Sequence, residues 1–131
     1  MEIKDRVLIV EDDKNIRKFI QTILEANDYD VIATETGKEA YSLITSRCPD
    51  VVILDLGLPD MDGMKILKEV RAWSNMPIIV VSARDHEKDK VEALDMGADD
   101  YITKPFGTSG LRSDISGEQA RIRERSRKSH F

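Results

Sequence analysis

Four short, unbroken apolar runs constrain this chain more than any other feature: Val7-Leu8-Ile9-Val10, Val51-Val52-Ile53-Leu54, Pro77-Ile78-Ile79-Val80-Val81 and the weaker Tyr101-Ile102-Thr103. A strand with one wet face alternates apolar and polar residues, so continuous runs rich in Val and Ile predict strands covered on both faces. A fifth, weaker strand, Asp30-Val31-Ile32-Ala33, follows the polar break at Asn27-Asp28. Between the runs lie stretches with helical spacing: Ile16, Phe19, Ile20, Ile23 and Leu24; Ala40, Leu43 and Ile44; Met64, Leu67, Val70 and Arg71; Val91, Leu94 and Asp95. Gly37, Pro49, Gly63, Pro77, Gly97 and Pro105 punctuate the joints. Strands alternating with helices build right-handed βαβ units, so the fold class is α/β, an open doubly wound parallel sheet with helices on both faces.

With 131 residues the chain can bury one substantial core. Residues 1–105 carry 14 Lys+Arg against 22 Asp+Glu, whereas residues 106–131 carry 6 against 3. An acidic body argues against direct nucleic-acid binding, which needs clustered Lys and Arg for phosphate contacts. No apolar stretch is long enough to span a bilayer, and the start, Met1-Glu2-Ile3-Lys4-Asp5-Arg6, does not read as a secretory signal, so a cytoplasmic location without membrane contact is expected. Cys48 is the single cysteine, which excludes an intrachain disulfide and a cysteine-based zinc site.

In doubly wound sheets ligands bind beyond the carboxyl ends of the strands. Glu11-Asp12-Asp13 follows the first run, Asp55 the third strand, Ser82-Ala83 the fourth and Lys104-Pro105 the fifth. Each has an ordinary alternative: Asp13 reads first as a helix N-cap, Ser82 could cap the next helix, and Lys104 could be a solvated charge. Together they call for a partner, because converging carboxylates repel unless a cation or a lysine offsets them. Carboxylate oxygens with no nearby His or Cys favour Mg²⁺. A carboxylate can also attack phosphorus, and Asp55, alone at the end of the central strand, is the best-placed nucleophile, with Lys104 and Ser82 suited to hold the phosphoryl oxygens.

The stretches Val7–Asp13, Ile53–Gly63, Val81–Arg84 and Gly97–Phe106 jointly resemble the signatures of response-regulator receiver domains, in the OmpR/PhoB-like subfamily that carries a winged-helix DNA-binding domain after the receiver. Within it, Asp55–Gly63 and Trp73–Arg84 are most similar to KdpE-type regulators of potassium-transport genes. The resemblance implies a flavodoxin-like receiver fold with strand order 2-1-3-4-5. It further implies that Glu11, Asp12, Asp55 and the backbone carbonyl of Gly57 bind Mg²⁺, and that Asp55 accepts a phosphoryl group from a sensor histidine kinase. Lys104 would pair with that group, Ser82 would bond it, Tyr101 would swing inward as the coupled switch, and Lys104-Pro105 would be a cis peptide. Taken without the family, Tyr101 reads as packing in an edge strand. The domain would be a phosphoacceptor switch with only self-catalysed transfer and slow autodephosphorylation, its DNA contacts made by an effector domain.

The receiver body is assigned to residues 1–108. Residues 109–131 depart from the family: Gly110 stands where relatives have Glu at the start of an amphipathic fifth helix, and Gly117 and sparse apolar residues weaken helical drive. Homodimerisation through the fourth helix, fifth strand and fifth helix is therefore open to question. Gly63 is read as permitting a tight turn or close helix approach, Pro59 as stiffening its loop, and Trp73 and Met76 as core or rim packing. A nucleotide- or flavin-binding module on the same sheet is argued against, because no Gly-rich phosphate loop follows the first strand and Glu11-Asp12-Asp13 would repel phosphate there in the absence of a metal. Two other functions compete. One is a degenerate receiver that only docks. The other is a Mg²⁺-dependent aspartyl-phosphate phosphatase, which would need a second carboxylate where Gly57 stands.

Overall fold

The computed structural model describes residues 5–104. Its elements alternate strictly: β1 (Arg6–Val10), α1 (Lys14–Ala26), β2 (Asp30–Thr34), α2 (Gly37–Arg47), β3 (Val51–Asp55), α3 (Gly63–Arg71), β4 (Ile78–Ser82), α4 (Glu87–Asp95) and β5 (Asp100–Thr103). All four strand pairings are parallel, in the order β2-β1-β3-β4-β5. The order reverses beside β1, where the chain moves from β2 on one side to β3 on the other, and the crevice there lies at the carboxyl ends of β1 and β3. The expected fifth helix, the body boundary at residue 108 and the Lys104-Pro105 peptide bond fall outside the described residues. Among the described residues no helix is long and apolar enough to cross a membrane.

The unbroken strands feed two separate cores. On one face Val7, Ile9, Val51, Ile53, Ile79 and Val81 pack with Ile20, Ile23 and Leu24 of α1. On the other, Leu8, Val10, Val52, Leu54 and Val80 pack with residues of α2, α3 and α4. Successive strand side chains point to opposite faces, so a run such as Val7–Val10 supplies both layers at once. At roughly 1.5–3 kcal/mol for each large aliphatic chain taken out of water, these central strands dominate the favourable side of folding.

Three helices start on oxygen-bearing caps. Asp13 accepts from the amides of Asn15 and Ile16, Thr36 from Glu39, and Asp62 from Met64. This satisfies amides left free in a first helical turn. Asp13 is thus an N-cap, its Oδ1 accepting at 2.9 and 3.1 Å. Ser82 does not cap α4: the residue at that position is His86, which makes no side-chain capping bond.

Helix α4 differs from its expected inward face. Val91 and Leu94 are exposed, and the inward stripe is Asp89, Ala93 and Met96, with Ala93 fully buried. Its 4–3 spacing is equally helical, and the small Ala93 side chain allows α4 to pack against the core. Phe19 on α1 is likewise outside the core. Trp73, expected to pack, is 51% exposed just past the end of α3, whereas Met76 does pack against the core. Gly63 begins α3 so close to β3 that an added Cβ would press on the Asp55 carbonyl oxygen and lie 2.8 Å from Leu56 Cα.

Candidate functional site

Strand register brings the chemistry together. Val10 pairs with Leu54, so Glu11 and Asp55 are the next residues of adjacent strands. Asp55 pairs with Val81, one residue before Ser82, and Ser82 pairs with Thr103, one residue before Lys104. The Lys104 amide continues the ladder by donating to the Ser82 carbonyl at 2.8 Å. Four adjacent strand ends therefore deliver Glu11, Asp55, Ser82 and Lys104 to one edge.

Glu11, Asp12 and Asp55 each offer a carboxylate oxygen within 4.8 Å of the others. Glu11 and Asp55 are buried, Asp12 is exposed, and Asp13 stands outside the group. Lys104 Nζ lies 2.5 Å from Glu11 Oε1 and 3.4 Å from Asp55 Oδ2. Burial, followed by the contact with Asp55, pushes the Glu11 carboxyl up to about 7 despite the lysine. Burial opposes the charge on Lys104, yet its hydrogen bond to Glu11 and the negative field of Asp55 outweigh that and raise it. The site thus holds more negative charge than one lysine balances. An all-oxygen donor set of this kind fits a hard divalent cation of the Mg²⁺ type.

The surrounding loops are tied down. Arg17 Nη1 donates to the carbonyls of Glu11 and Asp12 at 2.8 and 3.4 Å, bracing the acidic turn from α1. The loop from Leu56 to Asp62 is closed on itself: Gly57 donates to Asp55 Oδ1 at 3.2 Å and forms a bridge with Asp62, while Gly63 donates to the Leu56 carbonyl at 2.8 Å. It is also anchored to α2, because Asp60 accepts from the amides of Gly37 and Lys38 at 2.8 and 3.0 Å. Those two bonds hold the Asp60 carboxyl below its usual range.

Ser82 is buried, and its Oγ accepts from the Arg84 amide at 3.1 Å, leaving the hydroxyl hydrogen for another acceptor. Tyr101 is also buried, and its hydroxyl donates to the Arg84 carbonyl at 2.6 Å. The bracing by Arg17, Asp60 and Arg84 was missed from the sequence. Only Asp60 carried a local signal, lying between Pro59 and Gly63 in a turn-rich stretch; the other contacts join residues on different elements.

A family profile described as the response regulator receiver domain matches residues 7–116. The chain belongs to that family. As a receiver domain it is 49% identical over 109 residues to the KDP operon transcriptional regulatory protein KdpE of Escherichia coli, an alignment covering 83% of this chain and 48% of that protein. The chain therefore spans about half the length of this curated relative. The Francisella response regulator 1452 receiver domain is 38% identical with a TM-score of 0.87, covering 91% of this chain and 99% of that one. The BeF3-activated N-terminal receiver domain of Klebsiella pneumoniae RstA is 30% identical with a TM-score of 0.84, covering 88% and 98%. The strand order of the sheet is that of the receiver fold, and the family places the chain in a two-component response regulator.

Proposed function

We propose that this receiver domain takes a phosphoryl group onto Asp55 from a sensor histidine kinase, with Mg²⁺ held by Glu11, Asp12, Asp55 and the Gly57 carbonyl. The reading rests chiefly on one observation: the convergence of the Glu11, Asp12 and Asp55 carboxylates with Lys104 at the sheet's switch point. An Asp55 oxygen forms a bond to phosphorus as the phosphorus–nitrogen bond of a kinase phosphohistidine breaks, the nitrogen keeping the electron pair. Bound Mg²⁺ would offset charge on the phosphoryl oxygens during transfer. Lys104 then exchanges its contact with Asp55 for a phosphoryl oxygen, and the Ser82 hydroxyl donates to another. Tyr101 reports the new state through the shared Arg84 segment. Arg17 and the anchored loop keep the acceptor set in place, so little reorganisation accompanies the reaction.

The domain is a switch that phosphorylates itself from a donor and slowly loses the group. Gly57, standing where a phosphatase would carry its second carboxylate, supports this over a turnover enzyme. By likeness to KdpE, the output is transcriptional control of potassium-transport genes, with DNA bound by an effector domain beyond this segment.

The test is incubation with Mg²⁺ and acetyl phosphate followed by intact mass, with Asp55→Asn as control. One phosphoryl group, lost in base and absent from the variant, is the predicted result. A folded wild type that gains none would leave a docking role, and rapid multiple turnover of acetyl phosphate would indicate a phosphatase.

A further inference from the structure

Arg84 has an unusual set of attachments. Its amide donates to Ser82 Oγ, its carbonyl accepts from Tyr101, and its guanidinium Nη2 reaches Asp62 Oδ2 at 3.3 Å across the mouth of the site. Asp62 in turn bridges to Gly57 and, through Oδ1, caps α3. One ion pair therefore ties the loop after β3 to the segment after β4, the segment that orients both Ser82 and Tyr101.

We infer that Arg84 is a positioning residue: clasped by Asp62, it holds the 82–84 turn so that Ser82 can donate its hydroxyl hydrogen to the phosphoryl group while Tyr101 stays buried. This deepens, and rests on, the reading of Asp55 as phosphoacceptor. The chemistry is specific. A hydroxyl offers one hydrogen and two lone pairs, and occupying a lone pair with the Arg84 amide leaves the hydrogen free to turn toward an anion. With the turn released, Ser82 loses that orientation and Tyr101 loses its acceptor. Both members of the ion pair are partly exposed, with side chains 37% and 52% accessible, so the clasp is a modest bias rather than a lock.

The test compares the wild type with Asp62→Asn, Arg84→Gln and the double variant. Asn at position 62 retains an oxygen to cap α3, and Gln at 84 retains the backbone that Ser82 and Tyr101 use. Mg²⁺ affinity is measured first, then affinity for beryllofluoride in the presence of saturating Mg²⁺. The clasp predicts unchanged Mg²⁺ affinity and a roughly two- to fivefold loss of beryllofluoride affinity in each single variant. The double variant should be no weaker than either, and the differences should disappear at high salt, where exposed charges are screened. A double variant showing the full sum of two independent losses, or single variants unchanged at low salt, overturns the proposal. The second readout needs no phosphoryl analogue: the ring resonances of Tyr101 should shift alike in both single variants, and unshifted resonances also overturn it. A wild type that binds no beryllofluoride at all removes the phosphoacceptor reading, and the Tyr101 signal then decides the clasp alone.

Discussion

Lys104 Nζ sits 2.5 Å from Glu11 Oε1, and this ion pair joins the ends of β5 and β1 across the mouth of the sheet. The lysine thereby occupies part of the charge that a divalent cation would balance, since it also lies near Asp55.

Replacing Lys104 with Met should separate two activities. Phosphoryl transfer from acetyl phosphate should fall by about tenfold or more, as one cationic contact to the developing charge is lost. Mg²⁺ binding should tighten rather than weaken, because a competing cation has gone. Isothermal titration with Mg²⁺ and the time course of intact mass check the two arms separately.

The raised Glu11 carboxyl predicts a pH-dependent metal affinity. Glu11 must lose its proton to ligate, and with its carboxyl titrating near 7 the Mg²⁺ affinity should rise about tenfold from pH 6 to pH 8. Glu11→Gln should bind more weakly and show a much flatter profile.

The same shift makes a stability prediction for the metal-free protein. The folded state keeps a proton that the unfolded chain releases near 4.5, so stability from this group is fully present below 4.5 and is lost as pH rises through about 7. Urea unfolding in a chelator should show wild type losing on the order of 1–3 kcal/mol relative to Glu11→Gln between pH 4.5 and 7.5.

Gly63→Ala should destabilise the fold by about 2–4 kcal/mol, because its methyl meets the β3 backbone and not a side chain that could move. The midpoint of urea unfolding measures it. As the clash is with Asp55 itself, phosphorylation should fall as well.

Arg71→Met should behave differently. Arg71 donates to the Gly97 carbonyl at 2.8 Å and to the Ser74 carbonyl at 3.2 Å, and pairs with the largely buried Asp99 at 3.0 Å, all at the amino-terminal end of β4 and β5. Its loss should cost about 2–4 kcal/mol of stability, since the Asp99 carboxylate keeps its hydrogen bond from the Ile78 amide but loses its guanidinium partner. At a temperature where the variant is folded, its phosphorylation rate should match wild type.

Much of this architecture was legible in the chain. The unbroken Val/Ile runs revealed doubly covered strands because burial on both faces suppresses alternation, and the residues after those runs were the ones the sheet brings together. Legibility fell where one residue type served two purposes. Asp13 could cap or ligate, and only the amides of Asn15 and Ile16 show that it caps. On α4 the apolar pair Val91 and Leu94 suggested the inward face, but Asp89, Ala93 and Met96 supply it, since a short helix with few apolar residues permits more than one stripe. The Asp62–Arg84 contact spans 22 positions, and no local pattern announces a pairing of that separation.

The most direct test of the central claim is to phosphorylate the protein with acetyl phosphate and Mg²⁺, reduce the acyl phosphate with borohydride, and map the reduced residue by peptide sequencing. Conversion of Asp55 to homoserine, abolished when Mg²⁺ is chelated, is predicted. Conversion at another acidic residue, or at Asp55 to the same extent in chelator, would contradict it.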